Sequence, residues 1–170
     1  MSHRFQVVII AGVAGAGKTT VGHLLAADLG WDFCEGDDFH PPGNLQKMMA
    51  GVPLTDEDRW LWLERLRSVI STPAREDWSL IVACSLLKES YRRFLMDDFD
   101  HVQTVFLTAD EPLVRERLSR RGPHFFPKEL LQSQLEAWED PEEGIMVDAS
   151  QDLEEVVATI KNKLRLEKEV

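Results

Sequence analysis

Eight residues near the amino end constrain this chain more than any others: Gly12-Val13-Ala14-Gly15-Ala16-Gly17-Lys18-Thr19 fits G-x-x-x-x-G-K-[ST]. Glycines at 12, 15 and 17 let the backbone curl and turn its N–H groups toward one point, where an anion can sit. The motif is informative only between a buried strand and a helix. Here Gln6–Ala11 (QVVIIA) is a continuous β-branched apolar run, the pattern of a strand covered on both faces. Lys18–Leu29 then interleaves apolar and polar positions as a helix does. The positive end of that helix adjoins the bound group. The residues Gly12 to Thr19, with Thr20 behind them, are therefore expected to cradle a nucleotide triphosphate. Lys18 reaches the β- and γ-phosphates, and the Thr19 hydroxyl is a ligand for Mg²⁺.

The rest of the chain repeats the alternation. Strands are expected at Asp32–Glu35, Ser79–Cys84, Val102–Leu107 and Ile145–Asp148. Helices are expected at Pro41–Gly51, after the acidic turn Thr55–Asp58, and at Leu86–Met96, Asp110–Arg121, Lys128–Glu139 and Asp152–Leu166. Alternating strands and helices specify an α/β domain with a central parallel sheet of about five strands. With 170 residues and no linker-like stretch, one domain spanning 1–170 is expected.

A triphosphate needs local positive charge, yet the chain is acidic, with 19 Lys and Arg against 30 Asp and Glu. That balance argues against nucleic acid or an anionic membrane as partner. The cations are instead concentrated. Arg115, Arg117, Arg120 and Arg121 crowd one helix end, and 117, 120 and 121 share a face. They run into Gly122-Pro123-His124-Phe125-Phe126-Pro127, a segment bounded by hinge-type residues. An arginine face on a lid at about 121–128 would close over a transferring phosphate and exclude water. Cations offsetting a helix dipole would read the same way, and two of the four suffice for that.

The acid that usually helps hold Mg²⁺ at the end of a later strand is missing, because strand 79–84 ends in Cys84-Ser85. Asp37 or Asp38, after the second strand, is the alternative source, acting on the ion through water or on a substrate hydroxyl. Asp38 reads equally well as a helix-capping loop residue. Asn44 and Lys47, three apart, can face one cleft, and Arg59 can clamp a carboxylate; solvated surface polarity explains them as well. His40 is either a hydrogen-bonding partner or a turn filler, and His124 carries the same ambiguity. Lys88 and Arg92 fall on one face of the expected helix 86–96. Trp60, Trp62 and Trp78 read as packing, and Cys34 and Cys84 as reduced thiols in apolar runs. No run is long enough to span a bilayer, which points to a cytoplasmic protein.

Several segments together resemble the gluconate kinase family: His40-Pro41, Asn44 and Lys47-Met48; Pro53-Leu54, Asp56 and Asp58-Arg59; Cys84-Ser85, Lys88 and Tyr91-Arg92; Arg121-Gly122, His124-Phe125-Phe126, Ser133-Gln134, Glu139 and Pro141. Leu61, Leu86, Leu135 and Trp138 depart from the family's usual residues. The resemblance implies a P-loop NTPase fold of three layers, α/β/α, like that of the nucleoside monophosphate and shikimate kinases. A helical substrate region at about 40–72 and an arginine-rich lid belong to it. It also implies ATP, Mg²⁺, a homodimer, and phosphorylation of D-gluconate to 6-phospho-D-gluconate. Lys18, Asp37, Arg117 and Arg121 would be catalytic. Asp37, His40, Asn44, Lys47, Arg59, Lys88 and His124 would touch the sugar acid. A different small-molecule kinase, or a nucleotide-binding module without turnover, are the alternatives.

Overall fold

A computed structural model describes residues 6–73, 78–122 and 126–168. Five parallel strands form one sheet: β1 (Val7–Ala11), β2 (Asp32–Glu35), β3 (Leu80–Ala83), β4 (Val102–Thr108) and β5 (Ile145–Asp148), in the order β2-β3-β1-β4-β5. β1 lies at the centre, with Val7 opposite both Leu80 and Val102. All five residues of β1 are fully buried, as the apolar run requires.

Alternation along the strands separates two cores. Val8 and Ile10 face one layer with Ile81, Val105 and Val147. That layer is closed by Val21 and Leu25 of α1 (Lys18–Leu29) and by Val156 and Ile160 of α7 (Leu153–Leu164). Val7 and Ile9 face the other layer with Leu80 and Val82. Trp62, Leu63, Leu66 and Ile70 of α3 (Asp56–Ser71), and Tyr91 and Leu95 of α4 (Glu89–Met96), cover it. The architecture is the expected three-layer α/β/α sandwich. A third, smaller cluster joins Ala14 to Val114 and Leu118 of α5 (Glu111–Ser119) and Leu131 of α6 (Lys128–Ala137).

α2 (Pro42–Met49) starts at a proline and ends before Gly51 at φ +72°, matching the expected punctuation. Thr55 and Asp58 form a reciprocal capping box at the head of α3.

One expected helix is shorter than the sequence suggests. Residues 86–88 are not helical; the helix begins at Glu89. Leu86 is buried with φ +36°, a left-handed conformation that a helix excludes. Arg92 is the physical reason. It does not face a cleft beside Lys88: it is buried, donating to the carbonyls of Leu86, Leu87 and Glu139 at 3.0, 3.1 and 2.7 Å. Its guanidinium also lies 4.8 Å from the Phe106 ring centre and 5.1 Å from that of Trp138. The carbonyls that a longer helix would use internally are held by this side chain instead. Losing it would leave the buried Leu86 carbonyl unpaired, at about 1–3 kcal/mol. α6 likewise stops at Ala137, because the Glu139 N–H donates to the Leu87 carbonyl rather than continuing the helix.

Candidate active site

Ligands in parallel sheets bind beyond the carboxyl ends of the strands, where the chain reverses its direction of travel across the sheet. β1 occupies that point, with the chain going first to β2 and β3 on one side and later to β4 and β5 on the other. The glycine loop leaves β1 there. Gly15 adopts φ +81°, and a Cβ on it would lie 2.9 Å from Leu118. It is thus fixed as glycine both by conformation and by the closeness of α5. The loop feeds α1 at Lys18, whose ammonium donates to the Val13 carbonyl at 3.0 Å.

Lys18 is half-buried, and loss of water around its ammonium lowers its pKa; the nearby Asp37 and Glu35 carboxylates oppose the shift and Arg121 adds to it. The four groups therefore share one electrostatic environment. Glu35 is the residue that the sequence reading passed over. It is the last residue of β2, and its Oε2 accepts a 2.6 Å hydrogen bond from the Thr19 hydroxyl. Burial raises its pKa, while the Thr19 bond and Lys18 pull it down. Its position at a strand's carboxyl end was the available signal. Mg²⁺ keeps most of its water and takes only one or two protein groups beside substrate phosphates. An exposed Thr19–Glu35 oxygen pair next to the phosphate loop fits that requirement. Among the described residues no group of three or more His, Cys, Asp or Glu could hold a metal by itself.

Asp37 stands on a 3₁₀ turn, Gly36–Phe39, directly after β2. Gly36 is required sterically, since a Cβ there would approach the Ala83 carbonyl to 2.5 Å. Trp62 fixes this turn from α3. Its indole N–H donates to the Gly36 carbonyl at 2.8 Å, and its ring stacks on His40 with centres 4.4 Å apart. The tryptophan read as packing is thus also a support for Asp37. His40 is nearly enclosed, which lowers its pKa; its Nε2 lies 3.7 Å from the Asp37 carboxylate. Asn44 is buried, and its amide nitrogen donates to the Asp58 carbonyl at 2.7 Å and lies 3.2 Å from His40 Nδ1. It joins α2 to α3.

The three cations read as sugar-acid contacts all meet carboxylates of the first turn of α3. Lys47 reaches both Asp58 oxygens at 2.8 Å. These bonds and the cap hold the Asp58 pKa down to about 2. Lys88 reaches Asp56 at 2.9 and 3.1 Å, Tyr91 donates a short hydrogen bond to the same carboxylate, and Arg59 lies 3.9 Å from it. Arg59 also donates to the Tyr91 oxygen at 3.1 Å. The Tyr91 and Lys88 bonds lower the Asp56 pKa.

The arginines diverge. Arg117 and Arg121 line a cleft of about 350 Å³ with Gly15, Gly17, Thr20 and the loop after β5 at Ala149 and Gln151. Arg117 donates to the carbonyls of Ala16 at 3.2 Å and Ala149 at 2.5 Å. Arg115 pairs with Glu111, and Arg120 with Glu116, both at the surface. Arg117 and Arg121 thus border the phosphate loop, while Arg115 and Arg120 pair with carboxylates of their own helix. Pro123, His124 and Phe125 of the lid stretch expected at 121–128 lie outside the described residues. Cys34 is half-buried, with its pKa pushed up to about 11, and Cys84 is buried; both thiols are free.

The model of the family described as an AAA domain matches residues 7–141. The thermosensitive gluconokinase of Escherichia coli K12 is 40% identical over 152 residues, covering 87% of this chain and 81% of that protein. This chain is a member of the gluconokinase family. A crystal structure of a gluconokinase from Sinorhizobium meliloti superimposes with TM-score 0.81 at 37% identity, over 97% of this chain and 98% of that one. An unliganded sugar kinase from Janibacter does so with TM-score 0.89 at 39% identity, over 95% of both. The family resemblance read from the scattered signatures agrees with these comparisons along nearly the whole gluconokinase fold.

Proposed function

We propose that the chain transfers the γ-phosphoryl group of ATP to the terminal hydroxyl of D-gluconate, yielding 6-phospho-D-gluconate and ADP. One observation carries the chemistry: the Lys18 ammonium is seated on the Val13 carbonyl at the root of the phosphate loop, and the Asp37 turn follows β2 at the same carboxyl end of the parallel sheet.

ATP lies with its phosphates on Gly12–Thr20 and its base in the cleft beside Arg117 and Gln151. Thr19 and Glu35 would hold Mg²⁺, which would neutralise charge developing on the transferred phosphoryl group. Asp37 orients the gluconate hydroxyl and accepts its proton as the oxygen attacks the γ-phosphorus. The bond from phosphorus to the β–γ bridging oxygen breaks, and the electron pair leaves with ADP. Lys18 and Arg121 stabilise the charge on the transferred group, and Arg117 holds the nucleotide cleft in shape. At the far end, Arg59 and Lys88, already gathered around Asp56, bind the sugar-acid carboxylate. His40, Asn44 and Lys47 line the hydroxyl side. The protein supplies position and electrostatics rather than covalent chemistry.

The acidic surface suits a small-molecule enzyme rather than one that binds nucleic acid or an anionic membrane. No helix among the described residues is long and apolar enough to cross a membrane. A cytoplasmic homodimer is proposed from the family resemblance. A coupled ADP-release assay across gluconate, its epimers, shikimate and nucleoside monophosphates tests the substrate. Turnover with gluconate is expected; turnover with shikimate or a nucleotide in its place would overturn the assignment.

A further inference from the structure

The Val13–Ala14 peptide is held from both sides. Its carbonyl accepts the Lys18 ammonium at 3.0 Å, and its N–H donates to Oε1 of Gln134 at 2.7 Å. The two groups belong to one planar trans amide, so they point in opposite directions. Anchoring the N–H on one side decides where the carbonyl points on the other. The loop itself restrains this plane little, because Gly12 and Gly15, at φ +147° and +81°, bracket the segment. Gln134 belongs to α6, which returns from the lid stretch, 120 residues along the chain from Ala14. It is well fixed there: Leu131 and Leu135 of the same helix pack with Ala14, Val114 and Leu118.

We propose that Gln134 is a positioning residue for the Lys18 ammonium, acting through the Val13–Ala14 peptide. The inference rests on the kinase reading above, in which Lys18 meets the terminal phosphates of ATP. Without the Gln134 acceptor the peptide plane rotates to find another partner for its N–H, and the carbonyl that seats the ammonium turns with it. The lysine is then present but displaced. Positioning errors of this kind act on phosphate binding and turnover, and leave the distant sugar-acid carboxylate site alone.

A double-mutant cycle tests the route. Magnesium-dependent ATP binding is measured by calorimetry for the parent chain, Gln134→Leu, Lys18→Ala and the double variant. Gln134→Leu is expected to weaken ATP about 10-fold when Lys18 is present, the scale of one hydrogen bond to a charged group. With Lys18→Ala the same change is expected to cost less than about twofold, because the group being positioned has gone. The KM for gluconate should not move. Equal losses in both backgrounds would overturn the inference, as would no loss in the parent background. Should Gln134→Leu fail to fold, Gln134→Met, unbranched and of similar length, carries the same cycle. A parent chain that takes up no ATP would overturn the kinase reading itself, and this inference with it.

Discussion

The nucleotide half and the sugar-acid half of this site are built on opposite principles. The phosphate loop works with backbone groups, glycine conformations and one lysine seated on a carbonyl. The sugar-acid half works with long side chains, and its cations are already paired: Lys47 with Asp58, Lys88 and Arg59 with Asp56. A loop of amides is held in shape by the strand and helix on either side of it. Flexible lysines and arginines are not, and the acidic first turn of α3 does for them what chain geometry does for the loop. That turn has two uses at once, since Asp58 both caps the helix and anchors Lys47.

The difference can be attacked from either side. The largest effect is expected from Lys18→Ala, which should lower kcat by about 10³-fold or more, since the triphosphate loses its only loop cation; steady-state kinetics near parent values would remove the phosphate role. Asp37→Asn should come next, with kcat down about 10²–10³-fold and the ATP dissociation constant within about twofold. A change confined to KM would make Asp37 a binding residue only. Asp56→Asn probes the other half. It releases Lys88 and Arg59, so the gluconate KM should rise about 5–10-fold while the ATP KM stays put. A fall in the gluconate KM would show that Asp56 competes with the substrate carboxylate instead of ordering its partners.

Trp62→Phe spans the two halves. It leaves the Gly36 carbonyl without its indole donor, which should destabilise the fold by about 1–3 kcal/mol in chemical denaturation. It should lower kcat more than either KM, by loosening the Asp37 turn. The smallest effect is a pH dependence. Burial depresses the His40 pKa in the folded protein below 6.5, so the unfolded chain binds the extra proton first. Stability is therefore expected to be complete above about pH 6.5 and to fall as pH drops from there toward the folded pKa. His40→Gln should flatten that slope in melting curves taken between about pH 5 and 7; an unchanged slope would assign it to other groups.

The phosphate loop, the sheet and its layers were legible in the sequence because each follows from local rules. A buried strand, a glycine pattern and an amphipathic helix are written in neighbouring residues. Glu35, Trp62 and Gln134 were not legible as site residues, since each acts on a group far along the chain: Thr19, Gly36 and Ala14. Spacing alone pairs Arg120 with Glu116, four residues back on the same helix, whereas the partners of Arg117, the Ala16 and Ala149 carbonyls, are set by what packs alongside.

Sequence alone determined that a glycine loop follows a buried strand and that the family's signatures recur along the chain, because periodicity and short motifs depend on residues within a few positions of one another. Only the tertiary structure decided which carboxylate stands beside Thr19, which cations are paired, why residues 86–88 leave the helix, and what grips the far side of the Val13–Ala14 peptide. Those contacts depend on how elements pack rather than on spacing, several of them join segments tens of residues apart (Lys88 with Asp56, Arg92 with Glu139, Gln134 with Ala14), and they exist only once the sheet has brought the strand ends together.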